Sequence, residues 1–202
     1  MFSPDGTRLA LSGDDGINLS VCDVENRKTL LTLPLHGEFV FCLLFSRDAR
    51  KIVAGCASGV VKIWDLADQS NEITLTGHTR QVRGLALLPD GRTLVSAAGE
   101  IRVRDLISRQ EIFSLKPRAT SFYGCSISQD GERLATGAET GLVTIWDLAS
   151  RQEVATLHGH DRLVDQVAFL PDGNSLLSVG LDQIRVWRAA SFEEADREVL
   201  KK

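Results

Sequence analysis

Short apolar runs, each bounded by turn-forming residues, follow one another from Phe2 to about Arg188. Residues 40–76 show the unit. VFCLLFS (Val40–Ser46), KIVAGCA (Lys51–Ala57) and VVKIWDL (Val60–Leu66) alternate in polarity, and ITLTG closes the unit after the polar loop ADQSNE. β-Branched and aromatic residues with this period-two alternation predict four strands, with Gly, Asp and Ser marking the turns. A helix would need apolar residues every three or four positions over longer stretches than these runs supply. Asp-Gly pairs between apolar runs predict tight hairpins at Asp5–Gly6, Asp90–Gly91, Asp130–Gly131 and Asp172–Gly173. Pro4, Pro89 and Pro171 lie in those turns, and Pro34 and Pro117 lie between units, where a missing N–H breaks no ladder.

The unit repeats. Asp5, Asp48, Asp90, Asp130 and Asp172 sit in the turns SPDG, SRDA, LPDG, SQDG and LPDG, at intervals of 43, 42, 40 and 42 residues. A second anchor follows each turn: VCDV, IWDL, VRDL, IWDL and VWRA. A third, less regular anchor precedes the turn: LHG at Leu35–Gly37, GHT at Gly77–Thr79 and GHD at Gly159–Asp161. A period of about 40–45 residues with GH and WD signatures predicts propeller blades of four strands each. The unbroken period makes 1–190 one continuous array, with repeats at about 1–35, 36–76, 77–117, 118–158 and 159–190. The tail 191–202, SFEEADREVLKK, departs from it. Ser191 and Glu194 have capping-box spacing, acidic residues lead, and Lys201 and Lys202 close, which predicts a short C-terminal helix.

These anchors resemble the WD-repeat β-propeller family over nearly the whole chain. The resemblance implies an all-β propeller of about five four-stranded blades. The first unit lacks most of its innermost strand and the last lacks an outermost one, leaving about 18 strands. Three arrangements stay open: the C-terminal part of a larger, commonly seven-bladed ring, which is the favoured one; a closed five-bladed ring; or pairing of open edges with another copy. With strands lettered A to D from the channel outward, the resemblance puts the D–A and B–C loops on one face. It also implies a hydrogen-bond tetrad of His, Ser or Thr, Asp and Trp. The last unit matches it with His160, Ser178, Asp182 and Trp187, although Asp182 and Trp187 are one residue closer than usual. The third unit keeps His78 and Ser96 but has Arg104 in place of Trp. The fourth has Thr136 and Trp146 without GH. The second has Trp64 and His36 but Ala54 for the hydroxyl, and the first has Cys22 at the Trp position.

Composition narrows the function. The 202 residues are 43% hydrophobic and 25% charged, enough apolar content for a core. A net charge of −4 carries no nucleic-acid footprint. No stretch has the apolar length of a membrane span, and the N-terminus does not read as a signal peptide, so a cytoplasmic location is expected. Cys22, Cys42, Cys56 and Cys125 form no CxxC pair and fall in apolar runs, which predicts reduced, buried thiols rather than a zinc site.

His160, Ser178 and Asp182 have the residue types of a nucleophilic triad, but there is no GxSxG elbow and Ser178 lies inside a strand. His158 and His160 point to one side of an extended segment, with no third metal ligand nearby. The three tryptophans recur at one repeat position, which predicts packing between blades. Partner-facing candidates are Phe39, Arg80, Phe122 and Arg162 in the D–A loops, joined in the B–C turns by Asp15, Ser58, Glu100, Thr140 and Asp182. The expectation is a non-catalytic scaffold that binds a protein or peptide on this face, with no cofactor, metal, nucleic acid or membrane. The alternative is self-assembly as a homo-oligomer through open blade edges, and the least favoured reading is a propeller hydrolase.

Overall fold

The structure, a computed structural model, describes residues 1–13, 17–68, 71–116 and 121–189. The helix expected over 191–202 lies outside them. Eighteen strands form five antiparallel sheets in chain order. The first sheet has β1 (Arg8–Ser12), β2 (Asn18–Asp23) and β3 (Lys28–Pro34). The second has β4 (Val40–Phe45), β5 (Lys51–Cys56), β6 (Val61–Asp65) and β7 (Glu72–Leu75). The third has β8 (Gly84–Leu87), β9 (Thr93–Ala97), β10 (Ile101–Asp105) and β11 (Glu111–Leu115). The fourth has β12 (Phe122–Ile127), β13 (Arg133–Ala138), β14 (Val143–Asp147) and β15 (Gln152–Leu157). The last has β16 (Val164–Phe169), β17 (Ser175–Gly180) and β18 (Ile184–Arg188). A remnant of an inner strand flanks β1: Phe2 bridges Leu9, and Met1 and Ala10 exchange backbone hydrogen bonds.

The repeated aspartates build the turns between the two innermost strands. Asp5, Asp48 and Asp130 each accept from a serine hydroxyl two residues earlier and from a backbone N–H two residues later. Asp90 and Asp172 each accept from two backbone N–H groups. The side chain thus closes the turn that the backbone begins.

Successive sheets pack face to face through four apolar clusters, one per neighbouring pair. Ala10, Leu19 and Val21 of the first sheet meet Ile52, Ala54 and Trp64 of the second. Val53, Val61 and Ile63 meet Val82, Leu94 and Ala98. Val95, Ile101 and Val103 meet Phe122, Leu134 and Trp146. Ala135 and Val143 meet Val164, Val167 and Leu176. Burying one such aliphatic or aromatic side chain contributes about 2 kcal/mol. Among the described residues, no apolar cluster joins the last sheet to the first sheet of the array. Its ends show what closure would cover. Ile184 and Val186 are 67% and 53% exposed, whereas Val143 and Ile145, at the same register in the fourth sheet, pack against the fifth.

Backbone bonds gather the loops at two ends. Leu66, Leu106 and Leu148 donate to Arg50, Arg92 and Glu132, tying the loops after the Asp of the second anchor to the aspartate turns. Ala57, Glu139 and Leu181 donate to Phe39, Ser121 and Leu163, tying the B–C turns to the D–A loops. Gly59 and Gly141 hold this second end together. Each has a positive φ (87° and 83°), and a Cβ there would strike the carbonyl oxygen of His78 or His160 in the next unit's loop.

Acid should weaken the turns first. The Ser3 hydroxyl, with the Thr7 N–H and hydroxyl, holds Asp5 down to about 2. Serine hydroxyls and backbone N–H groups also lower Asp48, Asp130 and Asp172. Thr93 lowers Asp90 against its own burial. A folded pKa below the unfolded value near 3.9 stabilises fully above that value, and the gain is lost as pH falls through the folded one. Circular-dichroism melts should show Tm falling steeply between about pH 4 and pH 2. Asp130→Asn, which keeps an acceptor but does not titrate, should flatten part of that fall.

Candidate protein-interaction face

One position within or just before each of β4, β8, β12 and β16 lines the mouth of the central channel at the D–A end. Phe41, Arg83, Tyr123 and Asp165 each stand seven residues before their turn aspartates, Asp48, Asp90, Asp130 and Asp172. β4, β12 and β16 carry β-bulges at these positions, between Val40 and Cys42, Phe122 and Cys125, and Val164 and Gln166. A bulge re-aims the side chain it carries. All four residues border one cavity of about 470 Å³, to which Met1 and Ser12 of the first unit also contribute.

Arg83 is the centre of this mouth. Its guanidinium lies 4.0 Å from the ring centroid of Phe41 and 4.6 Å from that of Tyr123. The Gln81 carboxamide oxygen accepts from Arg83 Nε at 3.1 Å and from Nη2 at 2.7 Å. Two aromatic faces and an acceptor from three different units therefore hold one cation in place, with Nη1 outside the Gln81 bonds. No carboxylate lies within salt-bridge distance of Arg83 among the described residues. Arg80 stands beside it and donates from Nη1 to the Ser121 hydroxyl at 3.1 Å.

The structure distributes the candidates unevenly. Phe39, Arg80, Arg162 and Thr140 are exposed at this end. Phe122 must be corrected: it is 1% exposed, because the bulge that follows turns Tyr123 to the channel and leaves Phe122 in the core between the third and fourth sheets. Glu100 is half-buried and its carboxylate accepts from Arg102 at 2.7 and 2.9 Å. The Asp182 carboxylate turns inward, and Asp15 lies outside the described residues. Phe41, Arg83 and Tyr123 are not among the expected candidates, and their shared phase relative to the aspartates is the signal in the sequence that marks them.

A hydrogen-bond network holds the last D–A loop. His160 Nδ1 and Asp182 Oδ1 are 2.9 Å apart, His160 Nε2 and the Ser178 hydroxyl 2.7 Å, and the Trp187 indole N–H donates to the same hydroxyl at 2.8 Å. The second Asp182 oxygen accepts from the Asp161 N–H and from Gln183. Burial opposes the Asp182 charge, yet these bonds, His160 first, hold its carboxyl well below the usual carboxylate range. Gly180 makes the short turn workable, because a Cβ there would collide with the Asp182 carboxylate and the His160 ring.

The other units keep parts of this network. In the third, His78 Nε2 lies 2.8 Å from the Ser96 hydroxyl, but its Nδ1 is buried without a partner and 3.9 Å from Glu100. Burial, then Arg104 and Arg102, push His78 down to about 4, so it is neutral at pH 7. In the fourth, Trp146 donates to Thr136 at 3.0 Å. In the second, Ala54 leaves the Trp64 indole N–H buried and unbonded, and His36 is exposed, 3.9 Å from Glu72.

The thiols also need correction. Cys56 is buried, but Cys22, Cys42 and Cys125 are only half-buried, the last two because their innermost strands face the channel. Desolvation still pushes Cys42 up to about 12 and Cys56 to about 11, leaving both as weakly acidic thiols. Among the described residues, no group of three His, Cys, Asp or Glu side chains is placed to hold a metal.

Two substitutions should move stability in opposite directions. Ser178→Ala leaves the buried His160 Nε2 and the half-buried Trp187 indole N–H without this partner and should cost about 2–4 kcal/mol in urea unfolding. Ala54→Ser offers Trp64 the acceptor it lacks and should gain about 1 kcal/mol.

Comparison with known proteins accords with this architecture. The family described as "WD domain, G-beta repeat" matches at residues 27–65, 69–104, 110–147 and 151–188. The chain is 33% identical over 193 residues to WD repeat-containing protein SL1-17 of Schistosoma mansoni, covering 94% of this chain and 64% of that protein. It is 29% identical over 165 residues to Protein groucho of Drosophila melanogaster, covering 75% of this chain and 22% of that one. It is 28% identical over 177 residues to Transcription factor unc-37 of Caenorhabditis elegans, covering 79% and 28%. The chain spans less than two thirds of each of these relatives. With four matched repeats and five propeller-type sheets, it belongs to the WD-repeat family, whose members generally act as protein-interaction scaffolds.

Proposed function

We propose that this chain is a non-catalytic interaction module that binds a protein or peptide across the D–A end of its channel. The observation that carries this reading is the Arg83 guanidinium held between Phe41 and Tyr123. A side chain already immobilised loses little freedom on binding, and arginine beside aromatics is the composition of an interface hot spot. Exposed Phe39, Arg80 and Arg162 extend the surface around it. The burial of Ser178 speaks against hydrolysis: it is 0% exposed, and its hydroxyl is engaged by both His160 and Trp187. Among the described residues, no helix is long and apolar enough to cross a membrane. A cytoplasmic setting is part of this reading.

A second reading, self-association, draws on the exposed apolar end face at Ile184 and Val186. Light scattering coupled to size exclusion over a dilution series separates the two. Self-association predicts oligomers that Val186→Lys dissociates, whereas the interaction reading predicts an unchanged mass for wild type and variant.

The interaction face itself is tested by quantitative capture on the immobilised chain. Arg83→Ala should weaken retention of a bound partner at least tenfold, and Arg80→Ala and Arg162→Ala should weaken it less, all with a cooperative unfolding transition retained. Full retention of every partner by all three variants would overturn the assignment.

A further inference from the structure

Arg104 occupies a place built for an indole. It pairs across from Leu94 as Trp64 does from Ile52, Trp146 from Leu134 and Trp187 from Leu176. Its side chain is 5% exposed. Nη2 donates to the Thr76 carbonyl at 2.5 Å, while Nη1 is buried and has no hydrogen-bond partner. The nearest salt-bridge carboxylate oxygen, on Glu111, is 3.9 Å away, and that same oxygen is already held by Arg102. A buried guanidinium is costly unless it is paired and its donors are met. Its pKa is pressed down by burial and then by Arg102, which marks the compensation as incomplete.

This unmet cation lines a groove of about 460 Å³ between the second and third sheets, walled on one side by residues 72–76 of and beyond β7. The neighbouring charges are accounted for. Glu72 pairs with Lys62 at 2.6 Å, and Arg102 takes both Glu100 and Glu111. Arg109 is exposed, borders the same groove and makes no salt bridge among the described residues. Among the charged residues that border the groove, Arg102, Arg104 and Arg109 outnumber Glu72 and Glu111 by one.

We propose that this groove is an oxyanion site in which Arg104, with Arg109 at the rim, binds a phosphoryl or carboxylate group. A guanidinium offers two parallel N–H groups to such an oxyanion, which suits the free Nη1. The oxyanion takes the place of the Glu111 carboxylate, which lies 3.9 Å from Arg104 Nη2 on a side chain that is 32% exposed, and Nη1 of the same guanidinium has no other partner. The site lies apart from the channel mouth and does not depend on the reading of that face.

Inorganic phosphate is the first probe, titrated at ionic strength matched with chloride and followed by thermal unfolding and by the Arg Nε–H resonances. Phosphate should raise Tm by about 5 °C at a hundredfold excess over Kd. Glu111→Gln, which removes the competing carboxylate, should tighten binding several-fold. Arg104→Trp restores the residue found at this register in three other units and places an indole N–H near Ser96, as Trp187 sits 2.8 Å from the Ser178 hydroxyl. It should keep the fold and abolish the response. Arg109→Ala, at the exposed rim, should weaken binding several-fold without touching the core. A phosphoserine peptide that binds tenfold tighter than phosphate would assign the oxyanion to a protein partner, and equal affinities would assign it to the free ion. No response beyond that to chloride, or the same response in Arg104→Trp and Arg109→Ala, would overturn the proposal.

Discussion

Every element of this chain depends on the face-to-face packing of one sheet on the next. A four-stranded sheet of this size has two apolar faces and no core of its own. Each sheet is therefore stable only between neighbours, and stability adds up along the array rather than around one centre. The consequence appears in the registers. Trp64, Leu19 and Val21 are 0–1% exposed where two sheets meet, while Val186 at the free end is 53% exposed. The same pleat, with the same kind of residue, is core or surface according to whether a neighbour follows.

That constraint divides the molecule into parts that tolerate change and parts that do not. Most inter-sheet positions are apolar and buried, as the four clusters show. The loop ends are released from it, because backbone bonds between the B–C turns and the D–A loops secure them from within. Side chains at the channel mouth are freer still. Phe41, Arg83, Tyr123 and Asp165 share one structural position yet differ in charge and shape, because they border the channel cavity rather than a neighbouring sheet's apolar face.

The period of the turn aspartates made the sheets and most strand boundaries readable, because alternation and turn chemistry are local properties. Reading failed where several units combine. Phe122 reads as a loop residue in the sequence because a β-bulge, invisible in the alternation, changes which of two neighbours faces the channel. The Arg83 clamp joins residues about 40 positions apart, so no local pattern marks it. The close spacing of Asp182 and Trp187 looked unfavourable for a hydrogen-bond network. Its compensation lies in Gly180, whose missing side chain leaves room for the carboxylate to meet His160.

The degenerate units then follow from one physical balance. A buried indole needs an acceptor for its N–H. The fourth and fifth units supply it from Thr136 and Ser178, while the second does not. The array survives this defect because sheet packing carries the main stabilisation and an unmet N–H costs only about 1–3 kcal/mol. The third unit goes further and replaces the indole by the Arg104 guanidinium. That exchange gives up apolar contact for a charge whose donors are only partly met, so packing alone does not account for it. A repeat whose fold is maintained by its neighbours can carry such a residue, as it carries the unbonded Trp64 indole.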